Sequence, residues 1–100
     1  MITVKSNYDS DLQPKRISIE GHAYFGPIGG DIVCAGVSSL FYALLNLLIT
    51  KGIEYAYEDT GEYVCISFDS GLATDAYEMF IIGVKGICKS FPDNVNIIFS

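Results

Sequence analysis

Tryptophan is missing from this chain of 100 residues, histidine occurs once, and the three cysteines include no C-x-x-C pair. A lone His and three scattered thiols lack the paired spacing of a structural zinc site, and thioredoxin-type redox chemistry fails for want of the same C-x-x-C pair. Neither a metal nor a cofactor is therefore expected. Basic residues are also scarce. Six Lys and Arg stand against twelve Asp and Glu, for a net charge of −6. With no basic footprint to neutralise phosphates, nucleic acid is not an expected direct ligand. No Walker-type lysine accompanies the glycines, so a phosphate-cradling loop is not expected either. No secretory leader is expected, because the start "MITVKSNYD" is polar by its fifth residue. Reduced thiols in an unexported chain give the expectation of a cytoplasmic protein.

The one long apolar run needs separate treatment. Ile32 to Ile49, "IVCAGVSSLFYALLNLLI", is eighteen residues without a charge, at the lower limit of a membrane span. Ser38, Ser39 and Asn46 within it, and strand-like segments on both sides, favour a helix buried in a globular core. A membrane partner is not expected.

Half of the residues are apolar, which suits a globular chain, and the length suits a single domain over residues 1–100. Residues 1–7 and 17–24 alternate apolar and polar positions and read as a β-hairpin around "DSDLQPKR". "FGPIGG" breaks regular structure. Asp31 caps a helix running to about Lys51, with Gly52 as its stop. "IEYAYEDTGEYVCISFD" reads as a second hairpin turning at Asp59-Thr60-Gly61. Its tyrosines suit either strand packing or a binding surface. A second helix covers roughly Thr74 to Ser90, and "VNIIFS" closes the chain as a strand. The order ββαββαβ implies an α+β fold, a mostly antiparallel five-stranded sheet packed with two helices. Both helices are apolar over more than one face, more than one sheet face can bury, so a homodimer is expected.

The chemistry concentrates in "GHAYFGPIGGDIVCAGVS", residues 21–38, where His22 and Cys34 lie twelve positions apart across a glycine-rich loop. With Asp31 as N-cap, Cys34 falls in the first helical turn. Unpaired N–H groups and the positive end of the helix dipole there favour thiolate over thiol. His22 can act as its base, and helix-start N–H groups can receive an oxyanion. Asp31 can cap the helix or orient His22. Ser38, one turn past Cys34, can bond the thiol, a substrate carbonyl or the helix backbone. Gly29 and Gly30, with Gly26, suit a lid over a bound chain or a simple strand-to-helix turn. Cys65 and Cys88 read as core. From the residues alone, a packed Cys with an unrelated His is the more ordinary reading, and the catalytic pair stands beside it as the alternative.

The same stretch, "GHA", a glycine-containing spacer and "DIVCAGVS", resembles the motif of the bacterial ribosomal-processing cysteine protease family, Prp. The "MITV" start, the element order and the length fit as well. The resemblance implies a cytoplasmic α/β homodimer that removes an N-terminal extension from a large-subunit ribosomal protein precursor, cutting after Phe-Phe and before Ala. It implies His22 as base and Cys34 as nucleophile, and places Asp31 and Ser38 around the site with a mobile Tyr24 to Gly30 loop. Pro27 in that loop departs from the family and should stiffen it. Two other functions compete: a noncatalytic module gripping a basic peptide or a ribosome-assembly partner in the same groove, and a thiol hydrolase of small acyl substrates.

Overall fold

The structure, a computed structural model, describes residues 1–8, 14–22, 26, 31–68 and 70–100. Seven elements follow one another: β1 (Ile2–Tyr8), β2 (Pro14–Glu20), α1 (Ile32–Lys51), β3 (Tyr55–Asp59), β4 (Tyr63–Phe68), α2 (Ser70–Ser90) and β5 (Val95–Phe99). The strands form a sheet in the order β3-β4-β2-β1-β5. The pairs β1–β2, β2–β4 and β3–β4 are antiparallel, whereas β5 runs parallel to β1. The fold is thus α+β with a mostly antiparallel sheet, in the expected order.

Alternation along the strands sends one face to the helices. Val4, Ile17, Ile66 and Val95 are almost wholly buried there. They meet Val33, Val37, Phe41, Leu44 and Leu48 of α1 and Phe80 and Val84 of α2. Ser6 shares that face, and its buried hydroxyl is satisfied by the Tyr77 hydroxyl at 2.8 Å. The two helices approach closely where they carry glycine. A Cβ at Gly83 would lie 2.8 Å from Leu40 Cδ1, and one at Gly36 would lie 3.2 Å from Ile87 Cδ1.

Several boundaries differ from expectation for local reasons. β2 starts at Pro14, not at residue 17, because a proline at the first strand position sacrifices no interior ladder bond. It ends at Glu20, since Gly21 turns away with φ +86°. His22 therefore lies just beyond the strand rather than on it. α2 starts at Ser70, and the departure at Ala73 (φ −124°, ψ 17°) marks the point from which the expected helix runs.

α1 is long and apolar enough to cross a membrane, with a mean hydropathy of 2.1. In the fold it buries a single face, while Ile32, Tyr42 and Ile49 on the other side are exposed. This is the apolar excess expected from the sequence: the sheet face and the neighbouring helix leave the outer apolar residues of α1 uncovered. Cys65 is buried, but on the side of the sheet away from the helices, where Arg16 Nε donates to its Sγ at 3.0 Å. Cys88 is half-buried and its thiol donates to the Val95 carbonyl at 3.3 Å.

Candidate active site

Sheet order brings the ends of β2 and β4 together, with Glu20 opposite Tyr63 and Ile19 opposite Val64. The chain leaves β2 through Gly21 and His22 at the same end of the sheet where the β3–β4 turn enters β4. The first turn of α1 closes the third side. The result is a cleft of about 430 Å³ onto which His22, Asp31, Cys34 and Ser38 all open. Four of the six residues singled out from the sequence are thus gathered around one space. Gly29 and Gly30, like Pro27, lie outside the described residues.

Asp31 settles how the helix begins. Its backbone is extended (φ −80°, ψ 108°) and its Oδ1 accepts from Val33 N at 2.9 Å and Cys34 N at 3.1 Å. The other carboxylate oxygen, Oδ2, accepts from Gly26 N at 3.3 Å, tying the loop to the helix start. Ala35 N donates to the Asp31 carbonyl at 3.0 Å. Two of the four N–H groups that lack an intrahelical acceptor at the helix start, those of Val33 and Cys34, are therefore already engaged. This corrects the expectation that these groups stand open to an oxyanion, because a buried carboxylate reaches two of them first. Cys34 is half-buried beside that carboxylate, while His22 is exposed at the rim.

Of the far wall only Tyr63 was anticipated, as one of the hairpin tyrosines that suit strand packing or a binding surface. Asp59, Gly61, Glu62, Tyr63 and Val64, from the β3–β4 hairpin, complete the cleft. Its turn is legible in "DTG": Gly61 has φ +85°, and Asp59 Oδ1 accepts from Gly61 N at 2.9 Å. What "DTG" does not carry is the pairing of β4 with β2, which alone brings the hairpin to His22. Behind it, Tyr42 of α1 and Tyr57 of β3 share a hydroxyl–hydroxyl hydrogen bond of 3.1 Å. That bond is the main reason the Tyr57 phenol is pushed up to about 12, with burial and the Asp59 carboxylate adding to it. The Tyr63 phenol is raised as well, chiefly by its hydrogen bond to Glu58.

A family profile described as cysteine protease Prp matches residues 1–96. The chain belongs to the Prp family of cysteine proteases. Among its relatives, the ribosomal processing cysteine protease Prp of Staphylococcus aureus (strain Mu50 / ATCC 700699) is 23% identical over 103 residues, covering 97% of both chains. The Prp of Bacillus subtilis (strain 168) is 25% identical over 105 residues, covering 95% of this chain and 92% of its own. Among solved structures, S. aureus Prp in complex with a substrate peptide superposes with a TM-score of 0.85 at 21% identity. S. aureus Prp with a covalently linked product peptide superposes with a TM-score of 0.82 at 24% identity. Both comparisons cover the whole of each chain. SMU.848 from Streptococcus mutans superposes with a TM-score of 0.78 at 24% identity, covering 99% of this chain and 93% of that one. The Prp fold therefore extends over the entire sheet and both helices.

Proposed function

We propose that this cysteine protease removes an N-terminal extension from a large-subunit ribosomal protein, cutting after Phe-Phe, with Cys34 as nucleophile and His22 as base. The observation that carries the reading is the shared cleft, which gathers His22 from beyond β2 and Cys34 from the first turn of α1. The names of the S. aureus and B. subtilis relatives supply the substrate class.

In the reaction, His22 takes the Cys34 thiol proton and the thiolate attacks the scissile carbonyl carbon, forming a C–S bond. As the tetrahedral adduct collapses, the C–N bond breaks and His22 returns the proton to the leaving amine. Water, deprotonated by His22, then cleaves the thioester, releasing the new carboxyl terminus and restoring the thiol. The N–H groups of Val33 and Cys34 can receive the oxyanion only if the Asp31 carboxylate lets go of them. Substrate entry and rearrangement of Asp31 are coupled in this scheme through Gly26, which the same carboxylate holds. Asp59 and Glu62 on the far wall, together with the net charge of −6, suit a basic ribosomal substrate.

The protein acts in this reading as a cytoplasmic homodimer. The exposed apolar residues Ile32 and Ile49 of α1, and Leu72, Met79 and Ile82 of α2, support a second copy covering the outer helix faces.

Incubation with a peptide carrying a Phe-Phe-Ala junction tests the catalytic reading. Cleavage between Phe and Ala, lost in Cys34→Ala and His22→Ala, is the expected outcome. Binding without cleavage by the unmodified protein would point to a peptide-binding module, and cleavage of small thioesters alone to a general thiol hydrolase. Iodoacetamide provides a second readout. Cys34 should alkylate far faster than Cys65 or Cys88 near neutral pH, and His22→Ala should slow it. Equal and slow labelling of all three thiols would remove the basis for an activated nucleophile.

A further inference from the structure

The tyrosine pair lies outside the catalytic scheme, yet it continues the line of the cleft. Cys34 and Ser38 open onto the cleft from α1, and Tyr42 follows one turn beyond Ser38. Asp59 opens onto it from β3, and Tyr57 precedes Asp59 by two residues on the same face of the strand. The two rows converge where Tyr42 and Tyr57 meet, with ring centroids 6.3 Å apart at 64°. Phe41 backs them from the core, 5.3 Å from Tyr42 and edge-on to it. Both tyrosines remain more than a third exposed, at 38% and 39%.

Exposed aromatic rings ordinarily turn freely about two side-chain torsions, and fixing them costs entropy. Here that cost is met within the protein, because the hydroxyl bond and the edge-on contacts hold both rings before any ligand arrives. A preorganised aromatic platform with an open face binds an apolar side chain at little further entropic cost.

Spacing fixes which side chain. Eight helical residues separate Tyr42 from Cys34, a rise of roughly 12 Å along the axis. An extended peptide advances about 3.3 Å per residue. The pair therefore faces a residue about three or four positions from the scissile bond, beyond the reach of the Phe-Phe pair itself.

We infer that Tyr42 and Tyr57 form a distal subsite that binds an apolar side chain of the substrate about three or four residues from the cut. This rests on the protease reading above, and continuity with the catalytic cleft makes the substrate peptide, rather than another partner, the occupant. The subsite makes the enzyme sensitive to peptide length on one side of the junction.

The test uses the full chain and a short peptide containing the Phe-Phe-Ala junction. It is compared with versions extended by four residues at either end, the outermost extension residues being leucine or serine. Each protein is read as its own ratio of kcat/KM on extended and short peptides. In the unmodified protein a leucine extension at one end should raise that ratio about three- to ten-fold, mainly through KM, and a serine extension should not. Tyr42→Ala and Tyr57→Ala should abolish the gain, while Tyr42→Phe and Tyr57→Phe should keep most of it. A gain that survives both alanine variants overturns the subsite, as does the absence of any gain at either end. Loss in the phenylalanine variants equal to that in the alanine variants would assign the effect to the hydroxyl bond and overturn the platform. Binding of the same peptides to Cys34→Ala, followed by fluorescence anisotropy, reads the subsite without turnover. Tyrosine-dependent binding with no cleavage by the unmodified protein would sink the protease reading and leave the subsite standing.

Discussion

At the scale of single residues, Asp31 has two opposed effects on Cys34. It builds the helix start that positions the thiol, and it also occupies the Cys34 N–H and sets a carboxylate beside it. Asparagine caps a helix about as well as aspartate but carries no charge. Asp31→Asn should therefore leave the urea midpoint almost unchanged and speed Cys34 alkylation, whereas Asp31→Ala should cost about 1 kcal/mol of stability. Slower alkylation in the asparagine variant would show that the carboxylate assists the thiol. Gly21 is a second exacting position. Its φ of +86° disfavours any side chain, and a Cβ there would run into the Met1 carbonyl. Gly21→Ala should lower peptide cleavage several-fold by displacing His22, and the melting temperature should fall with it. Cys34, His22, Asp31 and Ser38 were all legible as neighbours of one cleft, because their signals are local: a thiol and a cap at fixed helix positions, and one histidine at the end of an alternating run. The commitment of the Val33 and Cys34 N–H groups was implicit in reading Asp31 as the N-cap, and it competes with the oxyanion role expected of the same groups.

At the scale of elements, the capping of α1 shows how far local chemistry reaches. Asp31 and Gly52 mark its two ends as expected, and Gly52 takes the left-handed conformation with φ 67°. The start of β2 was missed because Pro14 resembles a turn residue until its place at the head of a strand is known. The contact of α1 with α2 gives a stability test. Alanine at Gly83 would gain about 1 kcal/mol of helix propensity but press on Leu40, with overpacking costing about 1–3 kcal/mol. Gly83→Ala should thus be destabilised by about 1 kcal/mol in urea unfolding, and Leu40→Ala should relieve the clash in a double-mutant cycle. The bond between α1 and β3 offers a titration test. Since the fold holds the Tyr57 phenol neutral, this stabilisation is present below the ordinary tyrosine value of about 10 and is lost as pH rises toward about 12. Ultraviolet titration should show a tyrosine ionising toward pH 12, and Tyr42→Phe should bring that late component back toward the ordinary value.

At the scale of the whole molecule, the element order was legible and the sheet order was not. Hairpins announce themselves by short turns, but the insertion of β1 and β2 between β4 and β5 depends on contacts distant in sequence. That insertion creates the cleft, which explains why the residues of its hairpin wall other than Tyr63 were missed. The apolar excess on both helices was read correctly as composition, and its exposure carries a prediction about assembly. Sedimentation should give the mass of two chains, and Ile82→Glu, at a position 70% exposed, should shift it toward one. A single-chain mass for the unmodified protein would remove the homodimer from the reading.

The parallel pairing of β5 with β1 has a practical consequence. The two strands are neighbours running the same way, so the chain begins at one end of the strands and finishes at the other. Met1 lies against Gly21, next to the cleft, while Ser100 bonds back to Ser6 at the remote end of β1. Affinity tags are accordingly not interchangeable on this scaffold. A polypeptide fused ahead of Met1 emerges beside His22 and should slow peptide cleavage, whereas the same fusion after Ser100 should leave turnover intact.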